Sequence, residues 1–141
     1  MLEDGWVVGG GLVSLPKVLI VDDDESSRQL LSEVLETNGY TVGAVEDGSA
    51  ARAELSRDGG YGIVVADLRM PKETGLELLR HLRKENSHHG IILMSSFISG
   101  SERELAEELG VHALLEKPFR LNDFLQVVGE LANQKTIDIT T

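Results

Sequence analysis

Four side chains, Asp22, Asp23, Asp67 and Lys117, have types and positions that could do chemistry together. The stretch KVLIVDDDESSR, residues 17–28, runs four apolar residues, Val18 to Val21, straight into Asp22, Asp23 and Asp24, with Glu25 behind. Carboxylates this close repel one another and burden folding unless a cation joins them. A second apolar run, GIVVAD, also ends on a carboxylate, Asp67. Mg²⁺ suits such a set: it is hard, prefers oxygen, and usually takes one or two carboxylates with waters and a phosphate. Asp67, alone at the end of its run, can attack phosphorus and form an aspartyl phosphate. A metal would offset the repulsion between its acidic neighbours and an anionic donor. Lys117 offers a point charge to a phosphoryl oxygen, and a hydroxyl at Ser95 or Ser96 offers a hydrogen bond.

These residues are distant in sequence, so regular elements must bring them together. KVLIV reads as a short buried strand by length and β-branching. A helix follows with Leu30, Leu31, Val34 and Leu35 on one face, capped by Ser26 or Ser27 and ended by Asn38-Gly39, while Asp24 merely begins the loop. YTVGAV, GIVVAD, GIILMS and HALLEK are further strands. GSAARAELSR, a segment carrying Leu76, Leu78, Leu79 and Leu82, SERELAEEL, and LNDFLQVVGELAN are further helices. Phe124, Val127, Val128 and Leu131 form the inward face of the last. Crossovers of this length imply parallel strands with helices on both sheet faces. Ligand sites in such sheets lie at the carboxyl ends of the strands, which is where Asp22, Asp23, Asp67, Ser95, Ser96 and Lys117 fall.

Bulk composition narrows the function classes. A length of 141 residues suits one domain. Thirteen basic against twenty-four acidic residues give −11, which opposes a nucleic-acid surface and permits cation binding. The absence of cysteine rules out disulfides and thiolate metal sites and fits a cytoplasmic setting. No apolar run approaches the roughly 20 residues of a membrane helix. Residues 1–15 are expected to be a flexible extension built around Gly9, Gly10 and Gly11, with Trp6, Val7 and Val8 able to dock on a neighbour. Residues 134–141 are expected to be a tail, leaving residues 16–133 as the folded domain.

Four motifs in order, LIVDDDE, VVADLRMP, ILMSS and EKPF, resemble those of the response-regulator receiver domain, the phosphoacceptor half of two-component signalling. The resemblance implies a flavodoxin-like (βα)5 fold, an α/β doubly wound five-stranded parallel sheet in the order 2-1-3-4-5. It makes Asp67 the phosphoacceptor, Asp23 a direct ligand of Mg²⁺ (or Mn²⁺) and Asp22 a ligand through water. Asp67 and the Arg69 backbone carbonyl would complete the protein part of the metal shell. Ser96 takes the hydroxyl role and Lys117 the phosphate-contacting role, with a cis Lys117-Pro118 bond. The implied partners are a sensor histidine kinase or histidine phosphotransfer protein, facing helix one and the loops beside Asp67, and an effector protein. No nucleic acid or membrane is expected, and the chain would be a monomer or weak dimer.

Departures from the family pattern carry expectations of their own. Glu73 and Thr74 precede Gly75, where the family often has Asp-Gly. Phe97 replaces a small residue after the hydroxyl position, so a ring shielding the phosphoryl group from water is expected. Leu114 replaces an inward-turning aromatic residue, so an aromatic rotamer switch is not expected. His88 and His89 read as a solvated loop pair, His81 as a surface residue, and His112 as the start of the fifth strand. The run Glu102, Glu104, Glu107, Glu108 reads as a wet helix face. Two other functions are weighed. A haloacid-dehalogenase-type phosphatase would use Asp22 as nucleophile, but the acids after Lys117 (Asp123, Glu130 and Asp138) fall at no strand end. A receiver-like binding module would not be phosphorylated at all.

Overall fold

The computed structural model describes residues 5–8, 11–135 and 137–138. The elements that build the main sheet are β3 (Lys17–Val21), α1 (Glu25–Thr37), β4 (Val42–Val45), α2 (Gly48–Arg57), β5 (Tyr61–Asp67), α3 (Gly75–Lys84), β6 (Gly90–Ser95), α4 (Gly100–Glu108), β7 (Ala113–Glu116) and α5 (Leu121–Lys135). Every pairing in that sheet is parallel, in the order β4-β3-β5-β6-β7. Counted along this sheet alone, that is the predicted 2-1-3-4-5.

Strand side chains alternate between the two faces, and the core divides accordingly. Leu19, Val21, Val64, Ala66, Ile91 and Leu93 pack with Leu78, Leu79 and Leu82 of α3 and Ala106 of α4. Val18, Ile20, Ile63, Val65, Ile92 and Met94 pack with Leu31 and Leu35 of α1 and Phe124, Val128 and Leu131 of α5. Near-continuous apolar strands therefore follow from a sheet covered on both faces.

Two local expectations are corrected. Asp24 is the N-cap of α1, its side chain accepting from the Ser26 backbone N–H at 3.3 Å, so neither Ser26 nor Ser27 fills that place. A carboxylate satisfies an orphan donor and complements the positive helix end. Leu30 is 48% exposed, because Leu31 and Leu35, four residues apart, take the inward stripe of α1. Within the expected N-terminal extension, Gly5–Val8 (β1) and Gly11–Ser14 (β2) pair antiparallel, and β2 also pairs with Ile137–Asp138 (β8). Val8 lies opposite Gly11, and a Gly-Gly dipeptide between β-favouring runs is a hairpin signal as well as a linker signal. The rest of the expected extension and tail, residues 1–4, 9–10, 136 and 139–141, lies outside the described residues.

The amino ends of the strands carry a different construction. Arg83 donates from Nε to the Leu109 carbonyl at 2.8 Å, from Nη1 to the Ser87 and His89 carbonyls at 3.1 Å, and from Nη2 to the Gly110 carbonyl at 3.2 Å. One guanidinium thus ties the α3–β6 and α4–β7 connections together, satisfying carbonyls that helix ends leave open. His88, His89 and His112 line a cavity of about 510 Å³ beside it. The backbone N–H of His112 donates to the Ile91 carbonyl at 2.8 Å, and β7 begins one residue later.

Candidate functional site

At the opposite sheet edge, two carboxylates and one ammonium meet. Asp22 follows β3 and is fully buried; Asp67 ends β5 and is 7% exposed. Lys117 follows β7, and its Nζ lies 2.6 Å from Asp67 Oδ2 and 3.6 Å from Asp22 Oδ2. The other oxygen of Asp67, Oδ1, accepts from the Arg69 backbone N–H at 2.8 Å. Asp22 Oδ1 accepts from the Asp24 N–H at 2.9 Å, and the Asp22 carbonyl accepts from Arg28 Nη1 at 2.7 Å. The Lys117-Pro118 bond is cis, as the resemblance implies.

Electrostatics keep the lysine charged. Burial, the largest single influence on Lys117, pulls its pKa down. The hydrogen bond to Asp67, with the charges of Asp67 and Asp22, outweighs it and holds the pKa above the usual lysine value. Lys117 therefore stays a cation at neutral pH between two acids.

The sheet gathers some predicted residues more closely than others. Asp22 and Asp67 both lie within ion-pair reach of Lys117. Asp23 is exposed and lines a groove with Glu46, Asp47, Pro71 and Lys72. Ser95 is buried at the end of β6, its Oγ donating to the Phe97 carbonyl at 2.8 Å. Ser96 is exposed and makes no hydrogen bond among the described residues. Phe97 is 65% exposed, which argues against a closed apolar cover over Asp67. Leu114 packs, partly buried, against the α3-side core. Gly75 meets a demand of close approach: a Cβ there would sit 2.5 Å from the Asp67 carbonyl oxygen.

Two features escape sequence reading. Glu73 tucks in beside Gly48 and takes His81 Nε2 at 2.9 Å, so His81 has an acidic partner. Arg69 reaches along its side chain to Glu102 on α4 at 2.6 and 2.7 Å. Neither contact follows a periodic pattern, and the second spans 33 residues.

Among the described residues no three histidine, cysteine, aspartate or glutamate side chains stand together as a ready metal cluster. The fit to a hard cation rests on Asp22 Oδ2, a buried carboxylate oxygen that no hydrogen bond satisfies. Such an atom carries a full desolvation cost, and oxygen donors beside Asp67 are the chemistry that Mg²⁺ accepts.

Comparison with known proteins identifies the family. The profile of the response regulator receiver domain matches residues 18–129, and the chain belongs to that family. Receiver domains are the phosphate-accepting parts of two-component signalling and are signalling proteins rather than turnover enzymes. The response regulator MprA of Mycobacterium ulcerans is 36% identical over 122 residues, 86% of this chain and 52% of the relative. The transcriptional regulatory protein YkoG of Bacillus subtilis is 32% identical over 127 residues, 88% of this chain and 55% of the relative. The chain thus spans about half the length of these curated relatives. A response regulator receiver protein from Pseudomonas putida has a TM-score of 0.79 at 32% identity, covering 83% of this chain and 98% of that one. The chemotaxis protein CheY4 of Vibrio cholerae has a TM-score of 0.77 at 28% identity, covering 84% and 99%. No helix among the described residues is long and apolar enough to cross a membrane.

Proposed function

We propose that residues 16–133 form a phosphoacceptor unit in which Asp67 receives a phosphoryl group from a sensor histidine kinase or histidine phosphotransfer protein. The observation that carries this reading is the Lys117 ammonium, 2.6 Å from Asp67 Oδ2 and 3.6 Å from the unsatisfied Asp22 Oδ2. Asp22, Asp23, Asp67 and the Arg69 carbonyl would hold Mg²⁺, with Mn²⁺ as its substitute. When bound, the ion lowers the repulsion between these acids and an anionic donor.

An Asp67 oxygen attacks phosphorus; the new P–O bond forms as the P–N bond to the donor imidazole breaks, and that ring nitrogen recovers a proton. The Arg69 N–H and Lys117 orient the nucleophile beforehand. Lys117 then pairs with a phosphoryl oxygen, and the Ser96 hydroxyl supplies a hydrogen bond to another. Phosphorylation shifts a two-state equilibrium, and the favoured state binds an effector protein differently. The setting is cytoplasmic and the chain a monomer or weak dimer, with no direct nucleic-acid or membrane contact.

Intact mass after incubation with Mg²⁺ and a small phosphoramidate tests this reading. The wild type gains one phosphoryl group and Asp67→Asn gains none. Phosphorylation that survives Asp67→Asn and is lost in Asp22→Asn would instead favour the phosphatase-like nucleophile.

A further inference from the structure

The connection between β6 and α4 is fastened to the phosphoacceptor loop by one side chain. Arg69 stands two residues after Asp67, and its backbone N–H holds Asp67 Oδ1. Its guanidinium forks onto both carboxylate oxygens of Glu102, Nη1 to Oε2 at 2.6 Å and Nη2 to Oε1 at 2.7 Å. The same Nη2 donates to the Phe97 carbonyl at 3.2 Å. That carbonyl also accepts from Ser95 Oγ at 2.8 Å, and Ser95 Oγ accepts in return from the Phe97 N–H at 3.3 Å. The turn over Ser95–Phe97 is therefore pinned from within by Ser95 and from outside by Arg69. Ser96, between them, is left exposed without a hydrogen bond among the described residues.

Glu102 is itself well anchored. It is the N3 residue of the capping box of α4: its Oε1 accepts from the Ser99 N–H at 3.0 Å while Ser99 Oγ accepts from the Glu102 N–H at 3.2 Å. Arg69 thus grips the first turn of α4 rather than a loose surface side chain, and a two-pronged arginine–carboxylate pair fixes direction as well as distance.

Resting on the phosphoacceptor reading above, we propose that Arg69 and Glu102 are positioning residues that latch the β6–α4 connection in the arrangement that leaves Ser96 exposed, and that opening the latch speeds phosphorylation. In this proposal the Ser96 hydroxyl reaches a phosphoryl group on Asp67 by a movement of the Ser95–Phe97 turn, and such a movement works against the Arg69 contact to the Phe97 carbonyl. An interaction made only in the resting arrangement biases the equilibrium by its own strength. For a largely exposed pair that is roughly a three- to fivefold effect.

Glu102→Gln is the discriminating variant, because glutamine preserves the capping box and removes the charge. Phosphoramidate phosphorylation is followed by intact mass in Glu102→Gln, Arg69→Gln and the double variant. In parallel, backbone amide shifts of residues 95–100 are recorded without phosphodonor. The latch predicts roughly three- to fivefold faster phosphorylation of Glu102→Gln and no additional acceleration from Arg69→Gln in that background. It also predicts amide shifts displaced toward those of the phosphorylated wild type. Unchanged or slower phosphorylation of Glu102→Gln, or additive effects in the double variant, overturns it. If the wild type takes no phosphate at Asp67, the parent reading falls. The latch then stands or falls on whether Glu102→Gln and Arg69→Gln move the amides of Ser95–Phe97 alike.

Discussion

At the scale of single residues, the site is a balance of charges that folding alone would not favour. Asp22 is buried with one oxygen unsatisfied, and its nearest cation prefers Asp67 by 1.0 Å, the difference between 3.6 and 2.6 Å. Asp22→Asn keeps an oxygen to accept the Asp24 N–H and removes a buried charge whose ion pair with Lys117 is the longer one, while Lys117 keeps Asp67. This variant should gain about 1 kcal/mol of stability, seen as a melting temperature several degrees higher. It should also lose the rise in melting temperature that Mg²⁺ gives the wild type. A lower melting temperature without metal would show that Asp22 stabilises the resting fold. Asp22, Asp67 and Lys117 were legible in sequence because the two aspartates directly end apolar runs and Lys117 follows a third strand pattern, and a parallel sheet lines up such ends. Arg69–Glu102 and Glu73–His81 were not, because they depend on which rotamer reaches which neighbour across separate elements.

Elements set how closely those residues can approach. The first turn of α3 lies so near β5 that Gly75 has no room for a Cβ beside the Asp67 carbonyl. Gly75→Ala should cost about 1–3 kcal/mol through overpacking, read as a lower urea midpoint at unchanged slope. Phosphorylation of Asp67 should slow with it. A midpoint within error of wild type would mean that α3 slides outward freely. The strands and inward helix faces were readable because apolar residues recur at 2 and 3.6 residue periods. Leu30 and Asp24 were misjudged where periodicity is silent: a helix stripe has borders, and one carboxylate among three can serve as a cap while its neighbours form the site. Thr74 shows the same economy, closing a capping box with Glu77 where the family often has an aspartate.

For the molecule as a whole, long-range ion pairs join the sheet to its surroundings. Lys17, at the start of β3, donates to Asp58, at the end of α2, at 2.6 Å and lies 4.5 Å from the Tyr61 ring centroid. The Lys17 hydrogen bond, helped by the Gly60 N–H, holds the Asp58 carboxyl below its ordinary pKa. Its stabilising contribution is present above the unfolded carboxylate pKa of about 4 and is lost as pH falls through the lower folded value. Asp58→Asn should therefore flatten the acid limb of stability against pH, measured by urea unfolding from neutrality downward; an unaltered limb would remove this pair from the account. The sheet itself acts as a partition wall. Because no buried side chain among the described residues is shared between the α1/α5 compartment and the α2/α3/α4 compartment, a substitution that repacks one flank leaves the other flank's fit intact. Under the proposed function, contacts toward a phosphate source on one flank and toward a recipient on the other would be retuned one at a time, meeting at the carboxylates on the wall's rim.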